Sequence, residues 1–167
     1  MATFKFAGLK ALEMQMQKLK EQSVPSAKKA VYKGSKVMAD AIKGNMWALD
    51  FTSDGAAMAA YNANKPTIIS ERQKRGLIDG FGVTEIKVER GQVNAKVGFT
   101  GYNRVKTKRW PQGQPNVIVA RACESGTSHT IKQPFVRPAI SAARSATEKA
   151  IRDSIETDIK KITGGNK

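Results

Sequence analysis

The sequence predicts an α+β fold in which all 167 residues form a single domain. Three patterns support this class: helical spacing of apolar residues near the N-terminus, alternating apolar residues in the middle, and a long amphipathic stretch near the C-terminus. We therefore expect an N-terminal helical pair, a small antiparallel β-sheet built on a hairpin, and a long C-terminal amphipathic helix packed on that sheet.

The N-terminal helical pair follows from apolar residues that recur in steps of three and four. A first helix is predicted over about residues 7–22. Its apolar stripe consists of Phe6, Leu9, Leu12, Met16 and Leu19. A second helix is predicted from Pro25 to about Leu49, because proline is well placed in a first helical turn. The short break between them allows either a helical hairpin or one bent rod.

The middle of the chain changes from helical to alternating patterns. Residues 50–74 show little periodicity, so we expect an exposed excursion that contains a short helix near residues 56–61. Residues 83–89 and 93–99 alternate apolar and polar side chains on either side of an Arg90-Gly91 turn. These two segments predict the β-hairpin. Because an isolated hairpin is only marginally stable in water, a further strand or a helix must cover its apolar face.

Two further elements complete the predicted fold. The run Val117–Cys123 fits either a third strand or a short helix that begins at Asn116 and stops at Gly126. After Pro134 the spacing is helical for about six turns and ends at Gly164-Gly165. The apolar stripe of this long helix consists of Ile140, Ala143, Thr147, Ile151, Ile155, Ile159 and Ile162.

The chain is strongly basic, with 29 Lys and Arg against 14 Asp and Glu. The densest cluster lies in a basic loop at about residues 100–115, which has no acidic residue, and two aromatic residues, Tyr102 and Trp110, flank the cluster. The cluster consists of Arg104, Lys106, Lys108 and Arg109. Cations beside aromatic rings attract phosphate and can stack on bases. One hypothesis is therefore a free, sequence-nonspecific nucleic-acid-binding protein, although no known DNA- or RNA-binding signature accompanies the charge.

Catalytic and metal-binding patterns are sparse. Cysteine and histidine occur once each, as Cys123 and His129, which excludes a disulfide framework and a metal site built on these residue types. Glu124 could orient His129 toward Cys123, but three catalytic residues within seven positions make a poor geometry. We interpret Cys123 as a small buried hydrophobe and His129 as an exposed loop residue. The segment Gly76-x-x-x-Gly80-x-Gly82 lacks the lysine of a phosphate-binding loop.

These observations predict a non-enzymatic protein with no catalytic residues, no metal and no cofactor. No apolar run approaches the roughly 20 residues that are needed to span a bilayer. We therefore expect no membrane partner.

One stretch carries a specific pattern. Glu124, Gly126 and Thr127 form a Glu-x-Gly-Thr element, and Pro134-Phe135-Val136-Arg137-Pro138 opens the long helix. From the residues alone, Gly126 suits a positive φ, the prolines restrict the start of the helix, and Arg137 can pair with Glu124. The stretch resembles the signature of the tail-completion proteins of tailed bacteriophages, also called neck or head–tail joining proteins. A helical pair and a Gly-Leu element before a hairpin occur upstream in the same order as in that family.

The resemblance implies a structural virion protein of the phage neck that is assembled in the host cytoplasm. It implies a homo-oligomeric ring, expected to be a hexamer, that completes the tail and joins it to the head connector around the DNA channel. The implied partners are other copies, the head-connector, tail-terminator and tail-tube proteins, and viral DNA that passes nonspecifically. The motif from Glu124 to Pro138 would maintain the fold or subunit contacts. The basic loop would face the DNA channel or dock on a neighbouring ring.

Overall fold

The computed structural model describes the backbone of residues 9–164 and the side chains of residues 12–164. Phe6, residues 7 and 8 of the first predicted helix, and Gly165 lie outside the described residues. The described part has an α+β fold with five helices and two small antiparallel sheets. The elements are α1 Leu9–Trp47, α2 Asp54–Asn62, α3 Glu71–Gly80, β1 Phe81–Val83, β2 Lys87–Glu89, β3 Gln92–Asn94, β4 Val97–Phe99, α4 Asn116–Ser125 and α5 Val136–Thr163.

The predicted N-terminal helical pair is wrong: the segment forms a single helix of 39 residues, α1. Pro25 lies inside α1 instead of starting a second helix. Its ring nitrogen has no hydrogen, so the carbonyl of Glu21 lacks its usual helical donor. The residues on both sides are rich in Ala, Lys, Gln and Glu, whose high helix propensities favour a continuous helix through the proline.

The long C-terminal helix packs against α1, not against a sheet as predicted. Lys29 Nζ lies 2.6 Å from Asp158 Oδ1, and at the other end Asn45 Nδ2 donates to the carbonyl of Phe135 at 3.2 Å. Residue numbers thus rise along α1 while they fall along α5, so the two helices are antiparallel. Strands β1, β3 and β4 also contact α1, which makes this helix the common support of the fold.

The face of α5 that is covered differs from the predicted isoleucine stripe. The buried residues of α5 are Ala139, Ala143, Ser154 and Asp158. Ile155 and Ile159 are exposed, at 36% and 44%. The predicted stripe advances mainly in steps of four, and each such step turns about 40° beyond a full helical turn. Between Ala143 and Ile159 the stripe therefore drifts by about 160° and leaves the interface with α1.

The first turns of α1 extend beyond the end of α5. Helix α5 ends at Thr163, five residues after Asp158, so its end is about level with Val24 of α1. Residues 9–24 are termed the α1 arm, and their helix is about 24 Å long. None of residues 12–24 is buried, whereas buried positions recur from Ala30 onwards.

The predicted hairpin is present, but it is interrupted in the middle. Strands β2 and β3 pair around the Arg90-Gly91 turn, whose φ angles of 53° and 77° fit a type I′ turn. Strands β1 and β4 pair further from the turn, with Val83 opposite Val97. Between the two pairs, residues 84–86 on one side face only residues 95–96 on the other, an offset of one residue as in a β-bulge. The result is two two-stranded sheets instead of one sheet.

The apolar core lies where the C-terminal half of α1 meets α3, α4 and the start of α5. Its largest fully buried side chains are Phe135, Met46 and Leu77. Phe99 of β4 packs edge-on against Phe135, with ring centroids 5.9 Å apart. The core therefore joins all the long elements at one end of the α1–α5 pair.

The structure defines two segments, residues 117–123 and 50–74, for which the sequence allowed two alternatives or predicted little detail. The run 117–123 lies in the helix α4, so the helical alternative is correct and the third strand is not formed. The predicted excursion at 50–74 contains α2, which has no buried residue. It returns to the core at Ile69 and Ser70, which are both buried, so the excursion is exposed only in its first part.

Candidate functional site

The basic loop predicted at residues 100–115 is an ordered structure with its own hydrogen bonds, and it is termed the basic lobe. Thr107 and Trp110 exchange two backbone hydrogen bonds of 3.1 and 3.0 Å. Lys108 and Arg109 therefore form a two-residue tip, as in a tight hairpin. This geometry holds the tip cations on a defined support.

The base of the basic lobe packs into a groove that two glycines form on α3. Gly76 and Gly80 lie one helical turn apart, and a Cβ at Gly76 would collide with Asn103 of the lobe. A Cβ at Gly80 would collide with the carbonyl oxygen of Thr100, which accepts a hydrogen bond of 2.8 Å from Asn116 Nδ2. The Gly-x-x-x-Gly pattern, which does not fit a phosphate-binding loop, thus permits close approach of the backbone.

A glutamine connects the start of α3 to the basic lobe. Gln73 Oε1 accepts the N–H of Ser70 at 2.8 Å, and Ser70 Oγ accepts the N–H of Gln73 at 3.3 Å, which is a capping box. Gln73 Nε2 donates to Gln114 Oε1 of the lobe at 2.7 Å. The side chain of Gln73 therefore links the start of α3 directly to the basic lobe.

The four cations predicted as a DNA-channel or docking site are all exposed. They are Arg104, Lys106, Lys108 and Arg109. Within residues 12–164, none of them forms a salt bridge. Arg109 lies over the ring of Trp110, 5.5 Å from its centroid, and Tyr102 is exposed on the same lobe. The lobe therefore presents four positive charges next to aromatic rings, a combination that attracts anions.

A cleft of about 250 Å³ separates the basic lobe from α3. Arg72, Arg75 and Asp79 line it from α3, and Tyr102 and Arg104 line it from the lobe. Arg72 and Arg75 also form ion pairs with acidic neighbours at 2.9 and 2.7 Å. The cleft extends the basic surface of the lobe onto a helix.

The two arginines on α3 were not predicted as part of the site. Arg72, Arg75 and Asp79 are separated by three and four residues, which places them on one face of α3. This spacing is visible in the sequence. What the sequence does not reveal is that the basic lobe packs beside that face.

The motif residue Glu124 caps the N-terminus of α5. Its Oε2 accepts the N–H groups of Phe135 and Val136, both at 2.9 Å, and its Oε1 accepts the N–H of Arg137 at 3.0 Å. The first N–H groups of a helix have no partner within the helix. Phe135 occupies the capping position and has no side-chain oxygen, so the carboxylate comes from the preceding helix.

The environment of Glu124 favours its charged form. Burial raises the pKa of this carboxyl, but the three backbone donors and the Arg137 guanidinium together outweigh that effect, so the pKa lies below its usual 4.5. Arg137 Nε lies 3.7 Å from Glu124 Oε1, so the predicted pair is present as a loose contact. The exposed guanidinium is screened by solvent, and the backbone donors hold the carboxylate in place.

The turn between α4 and α5 uses the glycine and threonine of the motif. Gly126 has a φ of 75° and ends α4, with its N–H donating to Ala122 at 2.8 Å. Thr127 Oγ1 accepts the N–H of Thr130 at 2.9 Å and so closes a short turn. These contacts shape the path of the chain toward Glu124 and α5.

The remaining motif residues define the start of α5. Pro138 lies in its first turn, as predicted, and both Pro134 and Pro138 are exposed. Phe135 is 1% exposed and fills the core below them. Within this chain, the motif from Glu124 to Pro138 therefore stabilises the turn between α4 and α5 and the start of α5.

Cys123 and His129 occupy the environments expected of structural residues. Cys123 is fully buried in the core, and burial, together with the neighbouring Glu124 charge, raises the pKa of its thiol to about 12. His129 is exposed, and its ring lies 5.7 Å from that of Tyr61 in α2. A thiol in this state is protonated at neutral pH and is not an effective nucleophile.

No family model, curated protein or solved structure matches this chain. Over residues 9–164, none of the helices combines the length and the apolar character needed to cross a membrane. The described side chains include no group of three or more His, Cys, Asp or Glu that could hold a metal ion. The described side chains do bring four exposed cations together on the basic lobe, and such a cluster attracts anions.

Proposed function

We propose that this chain is a structural protein of a tailed bacteriophage particle, in which copies form a ring at the head–tail junction around the DNA channel. Its partners would be other copies, the adjacent head-connector, tail-terminator and tail-tube proteins, and the passing DNA. The proposal begins with the resemblance of the motif from Glu124 to Pro138 to tail-completion proteins. The observation that carries it is the large surface that a single chain leaves exposed.

The exposed surface suits a subunit better than an isolated molecule. The chain exposes 12142 Å², whereas a compact monomer of 18.2 kDa exposes about 8,100 Å². Large apolar side chains contribute on both long helices, including Leu12 and Met16 of α1 and Ile155 and Ile159 of α5. Extended apolar patches on proteins usually mark interaction sites. Head-to-tail contacts between copies would cover such surfaces and close into a ring.

The basic lobe suits a ring through which DNA moves. Its four cations are exposed, and the hydrogen bonds within the lobe and to α3 fix the backbone that carries them. Attraction between these side chains and phosphate does not depend on base sequence, as a channel for a whole genome requires. An acidic surface on a neighbouring ring would satisfy the same charges. We therefore expect the lobe to face either the lumen or such a partner.

The test is the copy number and position of the chain in purified particles of the phage that encodes it. Quantitative mass spectrometry and electron cryomicroscopy are expected to find six copies in a ring at the neck. Particles without the chain, or with copies spread over the capsid or along the tail, would contradict the proposal. A neck map in which all four lobe cations point into bulk solvent would contradict the role given to the lobe.

A second candidate is a free, sequence-nonspecific nucleic-acid-binding protein, which the net charge of +15 and the exposed Tyr102 on the basic lobe favour. The purified chain would then shift duplex or single-stranded DNA at low micromolar concentration in low salt. DNA binding combined with absence from particles would favour this second function. Failure to bind DNA at low salt would exclude it.

A further inference from the structure

The α1 arm carries an apolar stripe that continues the covered face of α1. Leu12, Met16 and Leu19 are separated by four and three residues, and the same alternation leads through Ser23 and Ser26 to Ala30, which is buried. Beyond the end of α5, Leu19 on this face is partly buried, whereas Met16 and Leu12 are exposed. Leu12 and Met16 are 55% and 64% exposed. The arm therefore presents a packing surface that this molecule does not fill.

A second uncovered apolar surface lies near the C-terminal end of α5. Ile155 and Ile159 are one turn apart, and the drift of their stripe has turned them away from α1. Exposed charges of both signs, including Arg152 and Glu156, surround them. An apolar centre with a polar rim is the usual organisation of a protein interface.

We propose that the α1 arm of one copy packs its Leu12–Met16–Leu19 stripe against the Ile155–Ile159 surface of the next copy. This inference rests on the proposed ring and identifies the contact that closes it. The two surfaces are different, so the contact is head-to-tail, the type that generates rings. Each copy contributes one arm to one neighbour and one α5 surface to the other.

The exposed area is large enough for this arrangement. A standard interface removes about 800 Å² from each partner, so a subunit with two neighbours loses about 1,600 Å². The chain exposes roughly 4,000 Å² more than a compact monomer of its mass. Two contacts per subunit therefore fit within the excess.

The Ile155–Ile159 surface that the α1 arm contacts must belong to a second copy, because the arm cannot reach that surface in its own molecule. Ile159 is about level with residue 28 of α1, since the adjacent Asp158 pairs with Lys29. Met16 lies about 18 Å further along the straight helix axis. Contact between the two side chains therefore requires two chains.

The first experiment replaces two residues of the stripe with a polar residue of similar size and high helix propensity. The double variant L12Q/M16Q is compared with Met14→Gln, which lies on the opposite face of the same arm and is 61% exposed in the wild-type chain. By sedimentation, the wild-type chain and the Met14→Gln control are expected to form multimers of the 18.2 kDa subunit. For L12Q/M16Q we expect a dissociation constant that is larger by at least about tenfold.

All three chains are expected to show the same helical circular dichroism and the same melting temperature at a dilution where they are monomeric. This control separates loss of the contact from loss of the fold. A wild-type chain that stays monomeric at all concentrations, or a double variant with wild-type mass, would overturn the inference.

The second experiment tests the pairing of the two surfaces directly. Met16→Cys and Ile159→Cys chains are mixed and oxidised, and a disulfide between them is expected because it requires Cβ atoms about 4 Å apart. The native Cys123 does not compete, since it is fully buried. The matched mixture of Met14→Cys with Ile159→Cys is expected to give no such product.

Cross-linking of Met16→Cys only to itself would overturn the head-to-tail contact. If purified particles contain a neck ring while these experiments fail, the contact is wrong and the proposed function stands. If particles contain no ring of this chain, the proposed function itself fails.

Discussion

Gly34 of α1 faces Ile151 of α5 so closely that a Cβ at residue 34 would lie 2.6 Å from Ile151 Cγ1. Small buried residues also occur at other levels of the two helices, such as Ala30 of α1 and Ala143 of α5. Gly44, in the same helix, has no atom within 4 Å of the corresponding position. Close packing therefore requires a glycine at residue 34 but not at residue 44.

This difference predicts opposite effects of substitution. Gly34→Leu is expected to lower the free energy of unfolding by about 1–3 kcal/mol, because the added side chain must displace Ile151 and separate the helices. Gly44→Ala is expected to raise it by up to about 1 kcal/mol through helix propensity alone. Urea unfolding followed by circular dichroism measures both. A Gly34→Leu chain as stable as wild type would refute the close helix contact.

Removing the charge of Glu124 is expected to destabilise the protein. Glu124→Gln keeps the shape but leaves one oxygen to serve three N–H donors, and we expect a loss of about 2 kcal/mol in the free energy of unfolding. The control is Glu148→Gln on the exposed side of α5, where the ion pair with Arg144 is worth well under about 1 kcal/mol. Equal effects of the two changes in urea unfolding would argue against the cap.

Acid is expected to weaken the fold by protonating the Glu124 carboxylate. The pKa of Glu124 is lowered in the folded state, so its stabilisation is fully present above about pH 4.5 and is lost as the pH falls through the lower folded-state pKa. Asp158, whose pKa the hydrogen bond from Lys29 lowers from its usual 3.8, adds to this loss as the pH falls below that usual value. Unfolding midpoints between pH 7 and 3 should fall less steeply for Glu124→Gln. An identical pH profile in both chains would contradict this assignment.

The thiol of Cys123 is expected to be unreactive in the native protein. It is fully buried and its pKa is raised to about 12, so almost no thiolate is present at pH 8. Ellman's reagent should modify the denatured chain promptly and the native chain only as it unfolds. The exposed thiol of a Met14→Cys variant, on the face of the arm away from the proposed contact, serves as the positive control. Rapid native modification of wild type would reopen the possibility of thiol chemistry.

The basic lobe is expected to dominate any interaction of the isolated chain with DNA. Replacement of its four cations by Gln should reduce the slope of log K against log salt by up to about 3.6, since each phosphate contact contributes about 0.9. A control variant removes the same charge from the exposed side of α1. Its substitutions are Lys28→Gln, Lys33→Gln, Lys36→Gln and Lys43→Gln. Equal slopes in the two variants would indicate that total charge matters and that the lobe does not.

Short-range patterns predicted elements well, and long-range packing was predicted poorly. The Arg90-Gly91 turn and the end of α4 at Gly126 follow from backbone preferences of a few residues, and both are present. The partner of α5 was wrong, because periodicity shows which residues share a face but not what covers that face. The continuity of α1 through Pro25 was also missed, since a proline is equally compatible with the first turn of a helix.

At the candidate site, too, features that are local in sequence were predicted and contacts between distant residues were not. The cations of the basic lobe were visible as a cluster in sequence, and they are exposed as a cluster in space. The cap by Glu124 was not predicted, because its partners are backbone N–H groups at the start of a helix that begins twelve residues later. A Phe at the capping position of α5, with no oxygen of its own, is the one signal that a distant acceptor is needed.

Pro25 stands almost level with the end of α5, where the α1 arm begins to project. Because proline has no backbone N–H, α1 lacks one helical hydrogen bond at the border between the part that packs against α5 and the α1 arm. Bending the helix at this position therefore breaks one backbone hydrogen bond fewer than bending it where the helix has all its hydrogen bonds. In the proposed ring, a change of angle at Pro25 would let the α1 arm meet neighbours set at different distances.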